Sequence, residues 1–140
     1  MTLTAAAPLS RELDIWGAFL PSELGLWGAA LITIAIETPL FWLAGYRRGR
    51  DALAFAAINL MSNLLLNEFV RTLPPHLVWN RFWEIAIPGE LVVVALEFCL
   101  CRCAVPDARG GLRLLLVVFG TNLTSFLAGV LYAPVLRIFS

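Results

Sequence analysis

The sequence predicts an all-α integral membrane protein built as a four-helix bundle. Composition is the first observation: 60% of the 140 residues are hydrophobic and only 14% are charged, against roughly 25% charged in a soluble domain. Mean hydropathy is +0.83. The second is that the apolar residues fall into four runs, each close to the ~20 residues that cross a bilayer. The third is that the polar residues inside those runs keep helical spacing. They are Glu37, Asn59, Asn63, Asn67, Glu90, Glu97, Asn122 and Ser125.

Residues 1–22 read as an N-terminal interfacial segment, and residues 23–140 as the four-span domain. In the segment, Trp16 and Phe19 alternate with Arg11, Glu12 and Asp14, and Pro21 closes a short amphipathic helix. A partly ordered tail with a tryptophan anchor is the competing reading. No Arg or Lys precedes Arg11, so no cleavable signal peptide is expected.

The first span covers about 23–46. Gly25, Ala29 and Thr33 lead in steps of four to Glu37, a small-residue stripe that would admit a neighbouring helix. Pro39 offers no N–H to the carbonyl of Ala35. The second span covers about 51–73, with Asp51 as its N-cap. Asn59, Asn63 and Asn67 drift by only ~40° per step and share a face. Glu68 can pair with Arg71, and Pro74–Pro75 ends the helix.

The loop from Pro74 to Glu84 holds the only histidine, His76, with Trp79 and Trp83 beside it. The tryptophans suit an interfacial belt, and the lone His an exposed position. The third span, about 85–103, places Pro88 in its first turn. It sets Glu90 and Glu97 within ~20° of each other around the axis. The fourth, about 112–133, carries Asn122 and a second small stripe of Thr121, Ser125 and Gly129.

Arginines set the orientation. The first and third connections carry Arg47, Arg48, Arg50 and Arg102, Arg109, Arg113; the second carries only Arg71 and Arg81. The positive-inside rule places the first and third loops in the cytoplasm and both termini outside, in a membrane expected to be a bacterial inner membrane.

A short motif occurs twice. Asn59-Leu-Met-Ser62-Asn-Leu64 matches Asn122-Leu-Thr-Ser125-Phe-Leu127, and Glu37-Thr-Pro-Leu40 loosely matches Glu97-Phe-Cys-Leu100. A true repeat would make two tandem hairpins related by an axis along the membrane normal; chance similarity is the other reading. The repeat brings Glu37, Glu97, Asn59 and Asn122 into one layer of ~10 Å. Two hydroxyls would join them, one from Ser125 and one from Ser62 or Thr33. Glu90 would sit higher, near Asn67.

Acids at this depth must meet each other, hold a proton or meet a cation. Glutamate with amide and hydroxyl oxygens suits a proton or a hard cation, and is unlike a zinc site. The leading expectation is a site that binds or passes a proton-coupled small solute or cation. In it Glu37 and Glu97 carry the charge, Asn59, Asn63 and Asn122 are neutral ligands, and Glu90 is an outer gate. One alternative is an accessory or structural subunit of a homo-oligomer or larger membrane complex, with the seam as interhelical glue. The other is an intramembrane enzyme using Glu37 and Glu97 as acid and base.

Other chemistry has no foothold in the residues. No Ser–His–Asp set, HExxH, Walker loop or GxGxxG is present, and no cofactor is expected. Zero net charge gives no field for nucleic acid. Cys99, Cys101 and Cys103 lack the fourth ligand of a closed metal site. Cys99 and Cys103 share a helix face and Cys101 points elsewhere, which fits packing or lipidation.

Overall fold

A computed structural model describes residues 23–105 and 110–139. The proposed interfacial segment lies outside them. The described residues are helical throughout, joined by short turns: α1 (Glu23–Leu43), α2 (Gly49–Thr72), α3 (Pro75–Asn80), α4 (Phe82–Ala104) and α5 (Gly111–Phe139). By length and composition, α2 and the Gly111–Val130 part of α5 suffice to cross a membrane, and Trp27–Leu43 forms a shorter apolar helix.

The four long helices touch in a closed circuit. α1 packs on α2 and α5, and α4 packs on the same two; short α3 leans on α4. Gly89 of α4 faces Leu66 of α2, whose mobile Cδ1 would lie 2.8 Å from a Cβ placed there.

The apolar core sits next to the α1–α2 and α4–α5 connections. Phe41 stacks between Tyr46 and Phe55, with centroids 4.3 and 4.0 Å away, and Ile58, Val94, Cys101, Val105, Leu114 and Val118 complete the cluster. In the α1–α2 turn, Gly45 adopts φ +109°, where a side chain is strained. Arg113 crosses from α5 to donate to the Ala44 carbonyl at 2.8 Å. That satisfies an acceptor at a helix end, where carbonyls lack intrahelical partners.

Several sequence expectations shift. Arg48 is the N-cap of α2, and Asp51 lies in its first turn, buried, where a carboxylate meets the positive end of the helix dipole. The loop from Pro74 contains α3, because Pro75 starts a new turn as its first helical residue. α4 therefore begins at Phe82, and Pro88 falls inside it. The small-residue stripes do not hold along their length: Ala29 and Gly129 are exposed, and it is Ala30, beside Ala29, that is buried. Arg71 does lie 3.5 Å from Glu68. His76 is exposed, and Cys99 and Cys103 are exposed while Cys101 is buried.

Candidate functional site

One helical turn beyond the apolar core lies a polar layer. Four residues separate Phe41 from Glu37, Phe55 from Asn59, Cys101 from Glu97 and Val118 from Asn122. At ~1.5 Å per residue that is a rise of ~6 Å on every helix, so the four polar groups arrive level. Glu37, Asn59 and Glu97 have no solvent exposure, and Ser62 and Asn122 are buried.

The hydrogen bonds close a ring around the four helices. Asn59 donates from Nδ2 to Glu37 Oε2. Ser125 Oγ meets Glu37 Oε1. Asn122 donates from Nδ2 to Glu97 Oε2 at 2.5 Å, and Ser62 Oγ meets Glu97 Oε1. Each serine also reaches the backbone carbonyl three residues before it: Ser62 to Asn59 and Ser125 to Asn122, both at 3.0 Å. The circuit runs Glu37, Asn59, Ser62, Glu97, Asn122, Ser125 and back to Glu37. Each acid takes its amide from the next long helix in sequence and its hydroxyl from the other helix pair. All four carboxyl oxygens are occupied, none of them by a basic side chain.

A serine hydroxyl carries one hydrogen and can accept as well, yet each ring serine touches two oxygens. Every contact receives its own hydrogen only when the acid supplies one. The carboxyl O–H then donates to serine Oγ, and the serine O–H donates to the backbone carbonyl. Two neutral glutamic acids complete the ring without leaving an uncompensated charge in a buried site, which would be costly.

Burial follows the repeated motif. The buried residues of α2 are Asp51, Phe55, Ile58, Asn59 and Ser62. Sixty-three positions later stand Leu114, Val118, Thr121, Asn122 and Ser125, all buried except the half-buried Ser125.

Not every expected residue joins the ring. Asn63 supports it from outside, donating to Asn59 Oδ1 at 2.7 Å. Asn67 is half-buried and makes no hydrogen bond to it among the described residues. Glu90 lies in a pocket of about 200 Å³ between α4 and α5, with Asn122 rather than Asn67. Ser62, one of two hydroxyls the sequence offered, is the one used; Thr33 is half-buried. The spacing of Ser62 from Asn59, repeated by Ser125 from Asn122, was the signal for it.

An apolar groove of about 820 Å³ separates α2 from α4 on the side away from the core. Ser62 stands at its floor, and Arg81 and Glu84, paired at 3.2 Å, at its rim. Among the described residues no cluster of His, Cys, Asp and Glu could hold a metal ion. No protein family, curated protein or solved structure matches the chain.

Proposed function

We propose that the chain is a four-span membrane protein, two tandem hairpins about an axis along the membrane normal, whose Glu/Asn/Ser ring locks the hairpins together. In this reading α1, α2, α4 and α5 cross the bilayer, with the α1–α2 and α4–α5 connections in the cytoplasm. The outward faces support it. Leu53, Val92, Leu112 and Leu116 are 61–72% exposed, while the acids point inward, the reverse of a water-soluble surface. The large groove between α2 and α4 then holds lipid tails.

The observation that carries the lock is the closed ring itself. Both acids are sealed from solvent and every carboxyl oxygen is taken. A transport pathway would need one acid to face an opening. An acid–base enzyme would need a carboxyl oxygen free for substrate. The best-supported role is accordingly that of a compact structural or accessory subunit of a membrane assembly, homo-oligomeric or mixed. The transport reading draws on one specific feature, the Glu90 pocket that reaches Asn122 from outside the ring.

Proteoliposomes separate the two. The lock predicts no proton or alkali-cation flux in sealed vesicles above that of protein-free controls. Flux that vanishes in Glu37→Gln or Glu97→Gln, with both variants folded, would replace the lock by a transport site.

A further inference from the structure

The charges at the two ends of the bundle are arranged differently. At the end carrying α3, both arginines are matched by a glutamate three residues away: Arg71 lies 3.5 Å from Glu68, and Arg81 lies 3.2 Å from Glu84. At the end carrying the α1–α2 and α4–α5 connections stand Arg47, Arg48, Arg50, Arg102 and Arg113, all exposed. The described carboxylate at that end is Asp51, which is buried. Arg47, Arg50, Arg102 and Arg113 form no ion pair among the described residues. Both α2 and α5 also begin there, and the positive ends of their dipoles add to the same field.

Next to these arginines the surface turns apolar. Leu43, Leu53 and Leu112 are 64–72% exposed, and they stand four, three and one residues from Arg47, Arg50 and Arg113. Trp42 is exposed as well. Its indole N–H donates to the Arg47 carbonyl at 3.3 Å, and the Arg47 guanidinium lies 5.8 Å from its ring centroid. A tryptophan held between an arginine and an apolar face has the side-chain order of a membrane interface.

We propose that this end docks the headgroups of anionic phospholipids, with Arg47, Arg50 and Arg102 on the phosphates and Trp42 at the boundary of the acyl chains. The inference rests on the membrane-spanning reading and names the lipid that such a chain would gather. Guanidinium groups suit phosphate oxygens, to which they donate as a fork. An acidic protein is the competing partner. The exposed leucines favour lipid, because a bilayer that covers them brings its headgroups to the neighbouring arginines without a further interface. The opposite end, its arginines already paired, offers no such field.

The test reconstitutes the full chain in phosphatidylcholine vesicles. These contain an equal, small mole fraction of either brominated phosphatidylglycerol or brominated phosphatidylcholine, and the readout is quenching of tryptophan fluorescence. An arginine near an anionic surface is worth about fivefold in enrichment. Brominated phosphatidylglycerol should therefore quench more strongly at low salt, and Trp42→Phe should remove the excess. So should salt near ~1 M, where the Debye length is ~3 Å. The triple variant Arg47→Gln, Arg50→Gln, Arg102→Gln should bring the two lipids to equal quenching, while Arg113 keeps its bond to Ala44. The double variant Arg71→Gln, Arg81→Gln should leave the excess intact. Equal quenching by both lipids in the parent chain would overturn the proposal, as would the same loss in the double variant. Abolition of the excess by inorganic phosphate or by poly-glutamate, at matched ionic strength, would also overturn it and give the surface to a free anion or to an acidic protein. Carbonate extraction from pure phosphatidylcholine vesicles tests the spanning reading separately. Release of the chain removes that reading and the docking with it, whereas retention with equal quenching removes the docking alone.

Discussion

Replacing Glu97 tests both the ring and its hydrogens. Glu97 joins α4 to Ser62 on α2 and to Asn122 on α5. Glu97→Leu keeps the bulk but deletes both bonds. Ser62 retains the Asn59 carbonyl and Asn122 retains the Val118 carbonyl, so one amide N–H of Asn122 is left without an acceptor. Two interhelical bonds at ~0.6–1.7 kcal/mol each, and one stranded donor at ~1–3 kcal/mol, give a loss of about 2–6 kcal/mol. Glu97→Gln behaves differently if the acid is neutral. Its Nε2 donates to Ser62 Oγ, its Oε1 accepts from Asn122, and the ring keeps every contact. The change should stay within about 1 kcal/mol, less than one buried hydrogen bond. Reversible unfolding by SDS in mixed micelles, followed by tryptophan fluorescence, measures both. A glutamine variant as damaged as the leucine variant would refute the neutral ring. A leucine variant as stable as the parent would refute the ring as a stabilising element.

The remaining expectations use the same unfolding assay or simple labelling. Gly45→Ala places a side chain at φ +109° beside Arg113 and should cost about 1–2 kcal/mol; no loss would show that the turn relaxes. Phe41→Ala removes the central ring of the three-ring stack and should cost about 3–5 kcal/mol, with a loss below that of a surface substitution counting against the core assignment. In detergent, a small neutral maleimide should modify Cys99 and Cys103 readily and spare buried Cys101 until the protein unfolds. Mass spectrometry should then read two adducts, and three rapid adducts would contradict the packing.

The polar layer was legible in the sequence because few side chains can satisfy an acid among apolar helices. Glu37, Glu97, Asn59 and Asn122 come level because the N-L-x-S motif recurs at fixed distances from the turns. The pairing was not legible. Helical spacing gives a residue's angle around its own axis, not which neighbour it meets. Ser125 bonding to Glu37, 88 residues earlier, therefore emerges only from the packing. Asn67 shares a face with Asn59 and Asn63, but the face drifts by ~40° per step, and by the third asparagine it has left the ring. The stripes misled for a related reason: Ala29 and Ala30 are adjacent, and composition does not reveal which one the neighbouring helix meets. Gly45 carried no sequence signal beyond being a glycine after an apolar run. Its positive φ follows from how tightly α1 turns into α2.

The exchange of serines between hairpins explains why the ring can fix one arrangement. If the chain spans a membrane as proposed, lipid tails are as apolar as leucine, so burial alone would not tell one helix register from another. Within the first hairpin Glu37 finds only its amide, from Asn59; the hydroxyl comes from the second hairpin, and Glu97 depends on Ser62 in the same way. Sliding one hairpin by a turn, ~5.4 Å, breaks both crossed bonds together. It would set Ser125 against Thr33 or Phe41, neither of which offers a carboxyl group. The apolar exterior tolerates many registers, but only the level one satisfies both acids, and that selectivity needs neither charge nor a bound ion.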